Sequence, residues 1–283
     1  MLPASVLARG PCADGSFGIE RYRLGFWRRT RVQNASTGIG TDSAERELRV
    51  DLAAAFRLAV EFDWHESVGN HFSAAVSEDG RRFLMNPRWK HFSQICASDL
   101  LLLDADDPEV MDGPNPPDPS AWCIHGSIHR SRPSARVLLH CHPPYATALA
   151  GLKDPTMKPI DQNTARFFGM VGVDLGFGGI ADDAAEGARL AEALGNHPIL
   201  LMGNHGVTVT AETVAEAFEH LYFFERASKT LMLAYASGQP LNVMSDRIAE
   251  KTAQDWLEYK GMAFAHFEAL KDMLDSKDPS YRN

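Results

Sequence analysis

Apolar residues recur three or four positions apart between residues 48 and 59. This interval places side chains on one face of an α-helix. The preceding segment Asp42–Glu45, with sequence DSAE, has the composition of a capping box. We therefore predict a helix from about residue 42 to residue 62.

Shorter apolar runs with strand character follow this helix. Residues 72–76 and 82–85 flank an Asp-Gly pair at positions 79–80, which is typical of a β-hairpin. Residues 100–103 and the longer run 136–142 (RVLLHCH) predict two more strands. Two further β runs are predicted over 198–202 and 207–210, joined by a turn of sequence GNHG.

Capping residues and prolines predict the remaining helices. Ser120, Asp183 and Thr213 are candidate N-caps, and the helices are expected over residues 121–131, 145–152, 183–194, 213–237 and 245–274. Residues 104–119, with sequence DADDPEVMDGPNPPDP, predict a solvated loop instead of a regular element. Helices and strands mixed around one sheet indicate a layered α/β domain.

Composition excludes several classes of protein. The chain has 283 residues, 45% of them hydrophobic, and a formal net charge of −9, which argues against nonspecific nucleic-acid binding. No apolar run approaches the roughly 18 residues that a membrane span needs. The four cysteines form no CxxC pair and fit a reducing compartment. We therefore expect a cytoplasmic protein with no nucleic-acid or membrane partner.

The first 41 residues differ from the remainder in charge. They contain six arginines, no lysine and two acidic residues. Such a composition is found in transit peptides, but a disordered extension or a wrongly assigned start codon would also explain it. We expect residues 1–41 to be an extension and residues 42–283 to form one domain.

Two histidines, His140 and His142, are two positions apart in a predicted strand. Because strand side chains alternate between faces, both imidazoles project from one side, with Cα atoms roughly 7 Å apart. His205 lies in the glycine-flanked turn, where backbone curvature can direct it into a cleft. Three imidazoles with an open fourth position describe a catalytic metal site, suited to zinc, manganese, iron or cobalt. Spacing alone leaves open that these are buried structural histidines.

Several motifs occur in an order that resembles the class II aldolase/adducin family. They lie between about residues 45 and 238 and read Gly69-Asn-His-Phe-Ser73, Ala97-Ser-Asp-Leu100, Ile128-His-Arg-Ser-Arg-Pro133, His140-Cys-His-Pro-Pro-Tyr145 and Asn204-His-Gly206, the last ahead of Thr213–Ala227. The resemblance implies a three-layer α/β/α fold with a central mixed or antiparallel sheet. It also implies that His140, His142 and His205 bind a divalent metal, usually zinc, and that subunits assemble into a homotetramer with active sites between them.

The chain departs from the family's pattern at one catalytic position. The aldolases place an acidic residue nineteen positions before the first metal-binding histidine, where it acts as a base beside the metal. This chain has Ala121 there, and a methyl group cannot accept a proton. A family tyrosine that protonates the intermediate aligns near Gln162, which we retain as a candidate pocket residue beside Asp161.

The family's phosphate-binding Thr-Gly pair is also replaced. The corresponding stretch carries Arg88, Lys90 and His91, and arginine in particular matches the geometry of a carboxylate. Asn70 matches a family position that contacts the substrate, although a turn residue is the alternative. We expect all four residues to bind the substrate.

Two residues are candidates for the missing acid or base. His125 is one helical turn from position 121 and could shuttle a proton, or it could be a structural histidine packed under its helix beside His129. Tyr145 follows the metal-binding strand and could donate a proton, or serve as a core or interface tyrosine.

The leading hypothesis is a metal-dependent carbon–carbon lyase, an aldolase or decarboxylase, acting on a small polar acid or sugar-like substrate. An epimerase or dehydratase acting on a sugar phosphate is the alternative within enzymes. A non-catalytic adducin-like binding or assembly module is the alternative outside them.

Overall fold

The computed structural model describes residues 39–113, 115–180, 183–259 and 261–283. The expected extension over residues 1–41 lies outside the described residues except for its last three positions. Within the described residues no helix combines the length and apolarity needed to cross a membrane. The α-helices are α1 Ile39–Glu61, α2 Pro119–Ser131, α3 Pro144–Ala150, α4 Gln162–Ala165, α5 Ala184–Leu194, α6 Val214–Ala236, α7 Asp246–Leu257 and α8 Met262–Lys277.

One mixed sheet forms the centre of the described structure. Its strands are β1 His71–Ala75, β2 Arg82–Met85, β3 Leu101–Asp104, β4 Val137–Cys141, β5 Val171–Asp174, β6 Ile199–Met202 and β7 Gly206–Ala211. They lie in the order β3-β2-β1-β4-β7-β6-β5. Only the β5–β6 pair is parallel among these strands. The predicted β1–β2 hairpin is confirmed.

Helices cover both faces of the sheet. The larger core packs α1, α3, α6 and α8 against one face, to which Leu139 of β4 contributes its side chain. On the other face Leu138 packs with residues of α2 and α5. Strand alternation therefore turns His140 towards the face that α2 covers. The predicted three-layer α/β/α fold with a mixed sheet is confirmed.

Two predicted helix starts were wrong. The first helix begins at Ile39, so the expected capping box Asp42–Glu45 lies inside it. The second begins at Pro119, where the Asp118 side chain accepts the backbone N–H of Ser120. Proline fits the first helical position because it lacks the N–H that would be unpaired there. The predicted loop over 104–119 also contains a 3₁₀ turn at Pro108–Asp112.

Other elements show where local pattern was sufficient and where it was not. Thr213 caps α6 by accepting the N–H of Glu216, as the sequence predicted. The expected single helix over 245–274 is two helices, α7 and α8. The edge strand β5 was not predicted, because its four residues are too short to show a period.

Candidate functional site

Three histidines converge at one edge of the sheet. His140 lies near the end of β4, His142 directly follows that strand, and His205 lies between β6 and β7. One ligand nitrogen from each lies within 4.8 Å of the others. Nitrogens this close can converge on one ion after small side-chain adjustments. The sequence prediction that these three residues come together is therefore matched by the geometry.

Local backbone structure explains how the third histidine reaches the other two. Asn204 adopts a left-handed conformation with φ of 54°, which tightens the turn between β6 and β7. Gly206 follows, and a Cβ atom there would lie 2.3 Å from Cδ2 of His142 and 2.8 Å from the carbonyl oxygen of Cys141. Only glycine lets the imidazole of His142 pack this closely against β7.

Hydrogen bonds favour one tautomer of His140. The Thr208 hydroxyl lies opposite on β7 and donates to the sulfur of Met202 at 3.5 Å. Its Oγ1 can therefore accept the Nδ1–H of His140 at 3.1 Å. In that tautomer Nε2 of His140 is unprotonated, because a neutral imidazole carries one proton.

The same arrangement recurs at His142. Its Nδ1–H donates to Oε2 of Glu66 at 2.6 Å. Its Nε2 is buried and has no hydrogen-bond partner in the part of the chain that the structure describes. Histidines that bind metals usually donate their second N–H to a carboxylate or another acceptor. An unpartnered nitrogen at this position fits a divalent ion.

Burial favours the neutral form of His140 and of His205. It lowers the pKa of His140 well below its usual value, with further lowering by the neighbouring His71. Burial also lowers the pKa of His205 to about 4, and His142 adds to the effect. Neutral imidazoles are the form that binds metal ions, so the electrostatics favour the same function as the geometry.

A second group of histidines lies next to the three. The ring of His71 stacks on His140, with centroids 4.7 Å apart and planes at 24°. Nδ1 of His71 is hydrogen-bonded to Nε2 of His125 at 2.8 Å. Ser73 Oγ in turn contacts Nδ1 of His125 at 2.6 Å and Nε2 of His129 at 2.8 Å. His71 therefore stands between His125 and the three converging histidines.

Ala121 supplies no acidic or basic group to this site. Ala121 is buried in an apolar cluster with Phe83 and Met85. The carboxylate that contacts a converging histidine belongs instead to Glu66, whose side chain is 59% exposed. Sequence reasoning missed Glu66, because it contacts a residue 76 positions away.

Sequence reasoning also missed His71 and Ser73. Both alternate with the core residues Phe72 and Ala74 along β1, and this alternation in the motif GNHFS was the available signal. Register then places His71 directly opposite His140.

Two of the predicted substrate residues have side-chain partners near the site. Asn70 has a φ of 68° and accepts the backbone N–H of Glu66 through Oδ1 at 3.0 Å. It therefore shapes the turn that carries Glu66. The ring of His91 packs edge-on against His65, with centroids 4.8 Å apart. The roles of Asn70 and His91 towards a substrate stay predictions.

The other predicted substrate-binding and catalytic residues differ in the contacts that their side chains make. Lys90 is paired with Asp99, whereas the guanidinium of Arg88 lies 4.2 Å from the ring centroid of Trp89. Gln162 is exposed on α4, which packs against α6 and α7. The ring of Tyr145 lies 5.1 Å from Nζ of Lys229 on α6. Within the described residues, none of these four predicted side chains forms a hydrogen bond or ring contact with the converging histidines.

An apolar loop borders the site. Leu175, Phe177 and Ile180 are 56%, 52% and 83% exposed. The ring of Phe177 is 6.2 Å from that of His205. Large apolar side chains grouped on a surface often mark an interface.

Comparison with known proteins yields relatives along most of the chain. The family described as "Class II Aldolase and Adducin N-terminal domain" matches residues 50–232. An adducin-related protein of Schizosaccharomyces pombe is 33% identical over 248 residues, covering 83% of this chain and 76% of that protein. Decarboxylase NovR of Streptomyces niveus is 27% identical over 207 residues, covering 73% and 76%.

Solved structures share the fold. An aldolase II superfamily protein from Pseudomonas syringae has a TM-score of 0.75 at 30% identity, covering 84% of this chain and 96% of that one. L-fuculose 1-phosphate aldolase from Glaciozyma antarctica PI12 has a TM-score of 0.73 at 22% identity, covering 88% and 97%. The second likeness establishes the fold alone.

Proposed function

The chain belongs to the class II aldolase and adducin family, and we propose that it is a divalent-metal-dependent carbon–carbon lyase. The observation that carries this proposal is the set of three converging histidines, two of which have Nδ1 hydrogen-bonded to an oxygen of Thr208 or Glu66, which leaves Nε2 available to an ion. Three imidazoles favour zinc, with manganese, iron and cobalt as alternatives. When bound, such an ion would polarise a substrate carbonyl and stabilise the enolate left by carbon–carbon cleavage.

The chain's own residues would hold this site in a fixed geometry. Glu66 and Thr208 orient His142 and His140 by accepting their Nδ1 protons. His71 covers one side of His140 by stacking on it. Rigid orientation of this kind reduces the reorganisation needed during reaction.

We propose a small polar acid or sugar-like substrate. Lys90 is ion-paired with Asp99. Arg88 forms no ion pair within the described residues, so its guanidinium is available to bind a substrate carboxylate. The neighbouring Trp89 has a φ of 62° and is 69% exposed. A bulky residue rarely adopts this conformation, and such strain is concentrated at functional turns. Aldol cleavage and decarboxylation remain the two candidate reactions, the latter supported by the named decarboxylase relative.

Metal analysis tests the proposal directly. Protein purified without added metal is expected to contain one divalent ion per chain, and His140→Ala is expected to contain none. His197→Ala, a change at a half-buried histidine between α5 and β6, is the matched control and should retain the ion. Full occupancy in His140→Ala would overturn the assignment. Assays of the metal-loaded protein on hydroxy acids, keto acids and sugar phosphates then separate lyase from epimerase or dehydratase activity.

An adducin-like binding module is the second candidate. The adducin-related relative and the alanine at position 121 favour it. The three imidazoles with free nitrogens disfavour it, because a binding module has no evident use for them. Wild-type protein that purifies without a divalent ion, and does not take one up on dialysis, would support the module.

We also propose a homo-oligomer, a tetramer by family resemblance, with its interface beside the site. The exposed apolar loop at Leu175, Phe177 and Ile180 supports this, because Phe177 lies next to His205. Light scattering is expected to give a multiple of 31.2 kDa. Phe177→Ser should lower the mass, whereas a monomeric wild-type protein would contradict the proposal.

A further inference from the structure

Four polar side chains under α2 form one continuous hydrogen-bonded chain. Its order is His71, His125, Ser73 and His129, with contacts of 2.8, 2.6 and 2.8 Å. All four residues are at most 5% exposed. Since water cannot replace these bonds, each proton in the chain must be assigned consistently with its neighbours.

We infer that Ser73 couples the three histidines so that they share one tautomer, and that this coupling fixes which group His71 presents beside His140. The role of His71 towards a substrate rests on the proposed function, but the coupling does not. In this arrangement His71 is the residue able to contact a substrate. Ser73, His125 and His129 are positioning residues that act through it.

The numbers of protons and lone pairs in these four side chains limit the possible tautomers. Each neutral imidazole has one N–H and one lone pair, and the serine hydroxyl has one proton. Burial lowers the pKa of His125 and of His129, so both rings are neutral. Ser73 Oγ contacts only these two rings among the described residues. Accepting from both rings would leave the buried hydroxyl proton without an acceptor, which is costly, so Ser73 donates to one ring and accepts from the other.

Only two arrangements satisfy all three contacts and also give the hydroxyl proton an acceptor. In the first, Ser73 donates to Nε2 of His129, and all three histidines carry their proton on Nδ1. In the second, Ser73 donates to Nδ1 of His125, and all three carry it on Nε2. The bond between Nδ1 of His71 and Nε2 of His125 transmits the choice to the site.

The hydrogen-bonded chain ends at Nε2 of His71. Nε2 of His71 has no hydrogen-bond partner within the described residues, and His71 is 5% exposed whereas His125 and His129 are fully buried. It lies on the ring that stacks on His140. The first arrangement would present a lone pair there, suited to a substrate hydroxyl. The second would present an N–H, suited to a carboxylate or enolate oxygen.

Nitrogen NMR on the metal-free full-length protein tests the coupling. Two-bond proton–nitrogen correlation spectra of ¹⁵N-histidine-labelled protein report the tautomer of each ring. His71, His125 and His129 are expected to show the same tautomer, whichever of the two it is. A mixed pattern in the wild-type protein would overturn the inference without any variant.

Ser73→Ala provides the second measurement. Removing the hydroxyl should release His129 from the other two rings, so that its nitrogen shifts move towards values averaged over both tautomers. Ser228→Ala is the matched control, because Ser228 is also fully buried but its hydroxyl has no partner within the described residues. It should leave the pattern unchanged. An unchanged pattern in folded Ser73→Ala would refute the coupling, whereas failure of the lyase assay would leave these spectra unaffected.

Discussion

Two polar clusters at opposite ends of β7 differ in how their groups are satisfied. The histidine cluster lies where β7 begins, after His205. The second cluster joins Arg166, Glu219 and His266 beside the other end of the strand, where Ala211 lines the same cavity as Arg166 and Glu219. Both clusters bury ionisable groups, so burial alone does not distinguish them.

In the second cluster each charge has a partner. Glu219 is 2% exposed, and its Oε1 accepts from both terminal nitrogens of Arg166 at 3.3 and 3.4 Å. Its Oε2 accepts Nδ1–H of His266 at 2.7 Å. Nδ1 of the adjacent His220 is buried without a partner, but His220 belongs to no group of three or more potential metal ligands within the described residues.

The large cavity and the converging ligand atoms lie at different places in the described structure. The cavity beside Arg166 and Glu219 has a volume of about 530 Å³, yet its charged groups are used in bonds to each other. At the histidine cluster the unpaired Nε2 of His142 points to a missing partner among the described residues. Unsatisfied, convergent ligand atoms are therefore the better marker of a candidate site in this protein.

The largest expected effect comes from removing a ligand. His205→Ala should abolish stoichiometric metal binding and lower lyase activity roughly a thousandfold or more, because loss of the ion removes several kcal/mol of transition-state stabilisation. Metal-free stability should change by less than about 1 kcal/mol, since His205 lies in a surface turn. Elemental analysis and kinetics check the first part, and denaturant unfolding checks the second. Retained metal would remove the distinction between the two clusters.

The next largest effect is expected in the second cluster. Glu219→Ala leaves the buried Arg166 without its partner, which should cost about 3–5 kcal/mol of unfolding free energy. The folded fraction should still bind metal. Glu212→Ala, at an exposed residue on the same cavity wall, is the control and should stay within about 0.5 kcal/mol. Loss of metal at full folding in Glu219→Ala would show that the clusters are coupled.

A smaller effect is expected at the hydrogen bond to His142. Glu66→Gln weakens the acceptor for Nδ1–H, and metal affinity should fall roughly 10–100-fold. Competition with a chromogenic chelator measures this. Glu78→Gln, at a glutamate in the β1–β2 turn, should leave affinity unaltered. Equal affinities for the two variants would show that Glu66 does not orient the ligand.

The smallest effect concerns pH and Glu225, which lies on α6, a helix that packs against β4. Burial raises the pKa of its carboxyl to about 7, although the N–H groups of Tyr145 and Ala146 that it accepts lower it. The folded state therefore holds this proton more tightly than the unfolded state. Stability should fall as pH rises from about 4.5 to about 7, on the order of 1–3 kcal/mol from this group.

The variant Glu225→Gln isolates the contribution of Glu225 to this change of stability with pH. Glu225→Gln cannot titrate, so its unfolding free energy should vary less over the same pH range, even if its absolute stability is lower. Urea unfolding at several pH values measures both slopes. Parallel slopes for wild type and variant would show that another group titrates.

Local periodicity by itself determined much of this fold. The spacing of apolar residues in α1, the Asp-Gly hairpin and the Thr213 cap of α6 were all correct or nearly so, because each depends on residues within a few positions. His140 and His142 were recognised for the same reason, since strand alternation fixes their shared side. Motif order added His205 and the family.

Tertiary structure alone decided the partners of those histidines. Glu66 reaches His142 across 76 positions, and His71 meets His125 across 54. The edge strand β5 exists because β6 pairs with it in parallel, and its own four residues carry no period. Sequence determines what a local backbone can form, but hydrogen bonds between distant elements set each tautomer, because a proton's position depends on whichever acceptor the fold places opposite it.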